Sequence, residues 1–178
     1  MKNKFSAFLS VILAITILLF WTSSYAQDDK ANRPSPPAQV SEKVGDVTIT
    51  IDYSQPGVKG RVIWGELVPY GKVWRTGANE ATTFEVSNDV TVEGESLPAG
   101  KYALFTIPEE KEWTIIFNSV PDQWGAFNYD ASKDVLKVKV KPQKSSSTME
   151  RLTFIIDSNG KVAMVWEDLE VDFTVSAK

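Results

Sequence analysis

Between Trp74 and Glu80 the chain reads WRTGANE, and polar groups crowd there without an obvious turn purpose. Arg75 offers a planar fork of donors for a carboxylate or phosphate. Asn79 brings both a donor and an acceptor. Thr76-Gly77 lets backbone approach a bound molecule closely. Glu80 is either the partner of Arg75 or an acid available for catalysis. Trp74 and Trp124 lie in or beside loops next to glycines, where an indole gives a sugar ring apolar area at little entropic cost. Trp74, Arg75, Thr76, Asn79, Glu80 and Trp124 are therefore the candidate ligand-binding residues. The same residues also fit a structural role. A buried Arg75–Glu80 pair would pin a long loop, Asn79 would cap backbone groups, and the indoles would fill a core.

Much other chemistry is excluded. The chain has no histidine and no cysteine. It therefore has no imidazole base or imidazole metal ligand, no thiolate nucleophile and no disulfide. Carboxylates, lysine, tyrosine and serine remain. A glycosidase needs two carboxylates about 5–10 Å apart. Glu66, Glu167 and Asp168 are the candidates to stand opposite Glu80, and the sequence does not place them in space. There is no phosphate loop, nucleophile elbow or zinc spacing. Asp157-Ser158-Asn159-Gly160 reads as a turn, because the later ligands of a calcium loop are absent. No catalytic residue, metal or cofactor is assigned.

The elements that must position these residues begin after a leader. Lys2 and Lys4 precede an apolar stretch from Phe5 to Trp21, and Ser24-Tyr25-Ala26 has the small-residue spacing of a signal peptidase site. The expectation is a signal peptide over residues 1–26, cut to leave Gln27, with the product periplasmic or extracellular. An uncleaved anchor is the alternative. Removing the leader's two lysines from nineteen basic residues leaves seventeen against twenty-three acids, a net charge near −6. No basic stripe is visible, which argues against nucleic acid and against anionic membrane surfaces. Residues 27–37, QDDKANRPSPP, contain no apolar side chain larger than alanine and three prolines. They read as a disordered tether, which can bury nothing to offset the entropy of ordering. Residues 38–178 are long enough for one domain with a single core.

The dominant hydrophobic period in that domain is two. Val47, Ile49, Ile51 and Tyr53 alternate with Thr48, Thr50 and Asp52, and Gly45-Asp46 before them suits a two-residue hairpin loop. Short strands follow at 82–86 and 90–93 about Asn88-Asp89, at 102–107 and 113–118, at 135–140, at 152–156 and 162–166, and at 169–175. One helical turn is expected near Arg61–Leu67. The pattern predicts an all-β fold, an antiparallel β-sandwich of jelly-roll or Ig-like type, with nine to ten short strands and little helix. Tyr102 follows Leu97-Pro98-Ala99-Gly100 as a corner tyrosine would, bonding back to upstream backbone. Trp113 and Trp166 fall inside strands and are expected in the core.

Two long stretches are more specific. One runs from Arg33 through Val40, continues at Val47–Tyr53 and ends on SQPGVKGR at 54–61. The other is LVPYGKVWRTGANEAT at 67–82. Together with LPAGKYALFTIP and Gln123-Trp124-Gly125, they resemble a family of secreted bacterial proteins of unknown function, family 2911 among such domains. The resemblance covers Arg33 to Phe154. It implies export in a Gram-negative cell and lends no activity. The leading expectation is a non-catalytic envelope or secreted protein that binds a small polar molecule or a carbohydrate. A carboxylate-dependent glycan hydrolase and a purely structural or partner-binding surface module are the alternatives.

Overall fold

The computed structural model describes residues 30–178, so the leader and its cleavage site lie outside the described residues. The predicted sandwich is present. One antiparallel sheet holds β1 (Pro37–Val44), β2 (Val47–Ser54), β3 (Thr83–Val86), β6 (Gly100–Ile107), β7 (Trp113–Asn118) and β8 (Asp134–Val140), in that spatial order. The other orders β5 (Glu95–Leu97), β4 (Val90–Val92), β10 (Lys161–Ala177) and β9 (Gln143–Ile156). The chain changes sheet between β3 and β4, between β5 and β6, and between β8 and β9. Among the described residues, helix is confined to Lys30-Ala31 and a 3₁₀ turn at Ala131–Lys133. Among the described residues, no helix is long and apolar enough to cross a membrane.

Period two works as expected in β2. Val47, Ile49, Ile51 and Tyr53 are buried on the face toward the second sheet. Phe84, Leu104, Ile115 and Phe117 continue that face, and Leu152, Phe154, Met164, Val171 and Phe173 meet it from the other sheet. The β1–β2 hairpin closes on Gly45-Asp46, with Gly45 at φ +64°. Tyr102 hydroxyl donates to Pro98 C=O at 2.8 Å, which ties the corner as expected.

Several local readings are corrected. Asn88-Asp89 does not join two paired strands: β3 pairs with β2 and β6, while β4 pairs with β5 and β10. The hairpin partner of β4 is β5, across Glu93-Gly94, both at positive φ. The strands expected at 162–166 and 169–175 are one long strand, β10, interrupted by register shifts at Glu167, whose φ is +58°. The segment near Arg61–Leu67 is not a helical turn. Leu67 and Val68 N–H groups reach back five residues to Val62 and Ile63 C=O, a wider turn than an α-helix makes.

The outer face of the six-stranded sheet carries a second, smaller core. Ala81, Ala103, Phe105 and Ile116 pack there beneath Val73, Ala126 and Tyr129. Residues 119–130 form the loop that covers this patch. Asn118 Nδ2 donates to Asp130 C=O, and Tyr129 hydroxyl donates to Asp134. The covering loop is thus tied down at its base.

Candidate functional site

The 74–80 segment runs along β6 beyond the end of β3. Trp74 exchanges two backbone hydrogen bonds with Thr106, and Thr82 N–H donates to Arg75 C=O. Its side chains divide sharply. Trp74 turns inward to Trp64, Trp113 and Trp166, with ring centroids 6.0–6.4 Å away, and its indole N–H donates to Gly77 C=O at 3.1 Å. Trp64 meets Trp113 edge to face at 5.2 Å, the arrangement that sets a positive ring edge against a negative ring face. Trp64 and Trp74 therefore belong with Trp113 and Trp166 in one core cluster.

Thr76 is 1% exposed. Its hydroxyl donates to Thr106 Oγ1 at 3.2 Å, and its C=O accepts from Thr82 Oγ1 at 2.8 Å. A β-branched residue at φ +55° is unfavourable, and these bonds hold it there. Asn79, at φ +58°, is a junction. Its Nδ2 donates to Ser35 C=O and to Ser54 Oγ, and its C=O accepts from Gly125 N–H. Asparagine tolerates this left-handed backbone better than most residues.

The expected Arg75–Glu80 pair does not form. Arg33 Nη1 donates to both Glu80 oxygens, at 3.0 and 2.8 Å, and Lys30 Nζ lies 3.4 Å from the same carboxylate. Burial alone would raise the Glu80 carboxyl. The bonds from Arg33 and the backbone, with the charges of Arg33 and Lys30, outweigh it and hold the group below its ordinary range. Arg75 instead has its Nε buried without a hydrogen-bond partner, and burial lowers its guanidinium pKa.

Arg33 thus joins the candidate residues from a segment expected to be a loose tether. Residues 33–36 are bound to the domain at several points. Pro34 C=O accepts from Arg151 Nη1, Ser35 C=O from Asn79, and Pro36 C=O from Gln55 N–H. Apart from its prolines, the arm at residues 30–36 carries no apolar side chain larger than alanine. Backbone carbonyls and one arginine hold it, and its prolines reduce the entropy lost on docking. The one signal in the sequence was that arginine among prolines.

The arm walls a groove of about 400 Å³ on the outer face of β1–β3. Lys30, Arg33 and Glu80 stand on one side, Gln39, Asp52 and Lys101 on the other, with Ala38, Tyr53 and Ala81 among the remaining lining. Asp52 accepts from Gln39 Nε2 and from Lys101 Nζ. Glu80 is also bridged in register with Trp124, and Arg33 lies 5.9 Å from the centre of that indole. Trp124 is 54% exposed. Gln123 C=O and Gly125 N–H, on either side of it, are bonded to Ala81 and Asn79. Of the six sequence candidates, Glu80 lines the groove, Trp124 flanks it and Asn79 braces it. Trp74 and Thr76 point away from it, and Arg75 is not among its lining residues.

Two wider clefts, of about 590 and 610 Å³, lie among Glu93, Lys139, Lys161 and Asp172 and among Glu109, Glu112 and Lys139. Neither gathers a residue of the 74–80 segment; Lys161 is paired there with Glu170 and Asp172, and Lys139 with Glu112. None of Glu66, Glu167 and Asp168 lines the groove with Glu80. Among the described residues, no group of three or more acids is placed to hold a metal ion.

Fold and groove together define a disulfide-free antiparallel β-sandwich with an arm-walled cleft on its larger sheet. Residues 35–175 match the family model described as a protein of unknown function, DUF2911, and the chain belongs to that family. No curated protein and no solved structure matches it.

Proposed function

We propose that this is an exported, non-catalytic binding protein for a small polar molecule or a carbohydrate, taken up in the groove between the 30–37 arm and the outer face of β1–β3. The observation that carries the reading is the joining of Arg33, Glu80 and Trp124 at the groove's edge. There a charged pair and a half-exposed indole are held by backbone on both sides. Prefixed polar groups beside a rigid aromatic face lose little entropy when a ligand arrives. The state of Glu80 does not suit it to the general-acid role in hydrolysis. A general acid needs a raised pKa, and this carboxyl is lowered by its cations.

The test is thermal unfolding of the mature protein against neutral mono- and disaccharides and small carboxylic acids. A ligand at a hundred times its Kd adds roughly 2.7 kcal/mol, a clear rise in Tm. The rise should be lost in Glu80→Ala and Trp124→Ala. If no compound shifts the transition, the structural reading stands in its place. That reading is favoured by Thr76, whose hydroxyl donates to Thr106, and by Asn79, whose side-chain nitrogen donates to Ser35 C=O and Ser54 Oγ.

A further inference from the structure

Among the described residues, seven large apolar side chains are exposed, and three of them, Val120, Trp124 and Phe127, belong to the 119–130 loop. Phe127 is the extreme case, at 83% exposed. This loop is not loose. Gln123 and Gly125 are bonded to the 79–81 backbone, and Tyr129 packs on Phe105 with ring centroids 5.1 Å apart. The Phe127 ring lies against Gly125, where a β-carbon would come within 3.0 Å of Cε2. Gly125 also sits at φ +67°. Glycine there allows the turn and makes room for the ring, so an exposed phenylalanine is held in a set position three residues from the half-exposed Trp124.

A fixed apolar ridge in water implies something that covers it. We infer that the Trp124–Phe127 ridge continues the groove as a platform for successive sugar rings, so that the ligand is an oligosaccharide chain rather than a single small molecule. This rests on the binding reading given above. Two features favour a glycan over other occupants. First, the ridge is continuous with the groove, because Trp124 is bridged to Glu80, which lines it. Second, the ridge is not a broad apolar surface. Gly125 and Ala126 separate its two rings in sequence, and the exposed flanking residues Asp122 and Asn128 carry a carboxylate and an amide that suit hydroxyl groups. Asp122 and Asp130 are exposed and oppose an anionic lipid surface.

The experiment is calorimetric titration of the mature protein with β-1,4-linked N-acetylglucosamine oligomers and the matching glucose oligomers, from monomer to hexamer. The variants are Phe127→Ala and Trp124→Ala, with vesicle sedimentation on neutral and anionic lipid in parallel. For at least one series the affinity should rise about tenfold or more from dimer to hexamer. Phe127→Ala should remove that rise while leaving dimer affinity and the melting temperature unchanged, since the ring is exposed. Dimer binding with no dependence on length, or a rise that Phe127→Ala leaves intact, overturns the platform and leaves the groove reading standing. No binding to either series, with small acids still shifting the transition, also overturns the platform alone. No binding to any compound removes both. Phe127-dependent sedimentation with vesicles overturns the glycan assignment in favour of a bilayer.

Discussion

Arg33 and Glu80, forty-seven residues apart, share one ion pair in which a single guanidinium nitrogen serves both carboxylate oxygens, at 3.0 and 2.8 Å. This contact sets the proline-rich arm against the sandwich and forms one wall of the groove.

The pair gives a pH signature. The Glu80 carboxyl is held below its ordinary range when folded. Its contribution to stability is therefore fully present above the unfolded value, about 4.3, and fades as pH falls through the folded one. Both side chains are partly exposed, which limits the effect to about 0–1 kcal/mol. Urea unfolding of wild type and Glu80→Gln should differ by this small amount at pH 7 and converge at acid pH. A difference that grows as pH falls would contradict the assignment.

The arm also marks the limit of what the sequence could reveal. Alternation in Val47–Tyr53, the Gly45-Asp46 loop and the Tyr102 corner are local signals, and each appears where it was expected. The sheet change after Asn88-Asp89 is not local: a turn signal is the same whichever sheet the next strand joins. Strand β5 is three residues long, too short to show a period. Glu167-Asp168 breaks the alternation of β10, so one bulged strand reads as two. In the site, WRTGANE stands out locally, but the partner of Glu80 lies far upstream and leaves no periodic trace. Arg75, five residues from Glu80, was the nearer choice and the wrong one.

Asp134 anchors the ridge loop. Its side chain is 5% exposed and takes Asn118 Nδ2 at 2.7 Å, Lys137 Nζ at 2.8 Å and the Tyr129 hydroxyl. Asp134→Ala leaves the Tyr129 hydroxyl without its acceptor, while Asn118 Nδ2 keeps Asp130 C=O and the half-exposed Lys137 keeps water, so it should cost roughly 1–3 kcal/mol in chemical denaturation. Asp134→Asn keeps one acceptor and should cost less. Burial, the Asp134 bond and nearby negative charge raise the Tyr129 phenol. Its share of stability is present below the ordinary tyrosine value near 10 and is lost only as pH climbs through the folded value. Burial and the Asp89 charge raise the Tyr102 phenol as well, so ultraviolet titration should show late-ionising tyrosine from both, and Tyr129→Phe should remove Tyr129's part of it.

Two glycines at similar backbone angles should behave differently. Gly45, at φ +64°, has nothing within 4 Å of an added β-carbon. Gly45→Ala should cost only the left-handed backbone penalty, about 1–2 kcal/mol. Gly160, at φ +90°, would place its β-carbon 2.0 Å from Val175 C=O, and its own C=O accepts from Val175 N–H. No rotamer relieves a backbone clash, so Gly160→Ala should add a further ~2 kcal/mol or more, in the range of severe single substitutions. Equal costs for the two variants would show that the β9–β10 turn yields more readily than the packing implies.

Arg75 gives the sharpest contrast between the two readings of the site. If it paired with Glu80 in the interior, Arg75→Ala would leave an unpaired carboxylate and cost roughly 3–5 kcal/mol. Glu80 keeps Arg33 and Lys30 whatever stands at position 75. Arg75 itself has a buried Nε with no partner, and burial disfavours its charge. Removing an unsatisfied buried donor relieves a cost of about 1–3 kcal/mol, while losing the aliphatic stem gives up packing of the same order. Arg75→Met keeps the stem and removes the donor, so it should be neutral to stabilising by about 1 kcal/mol. Arg75→Ala loses both and should fall below Arg75→Met. The order of the two variants in urea is the measurement. A loss of 3 kcal/mol or more in Arg75→Met would mean that the guanidinium has a partner essential to the fold, and the assignment of Glu80 to Arg33 would no longer account for the segment.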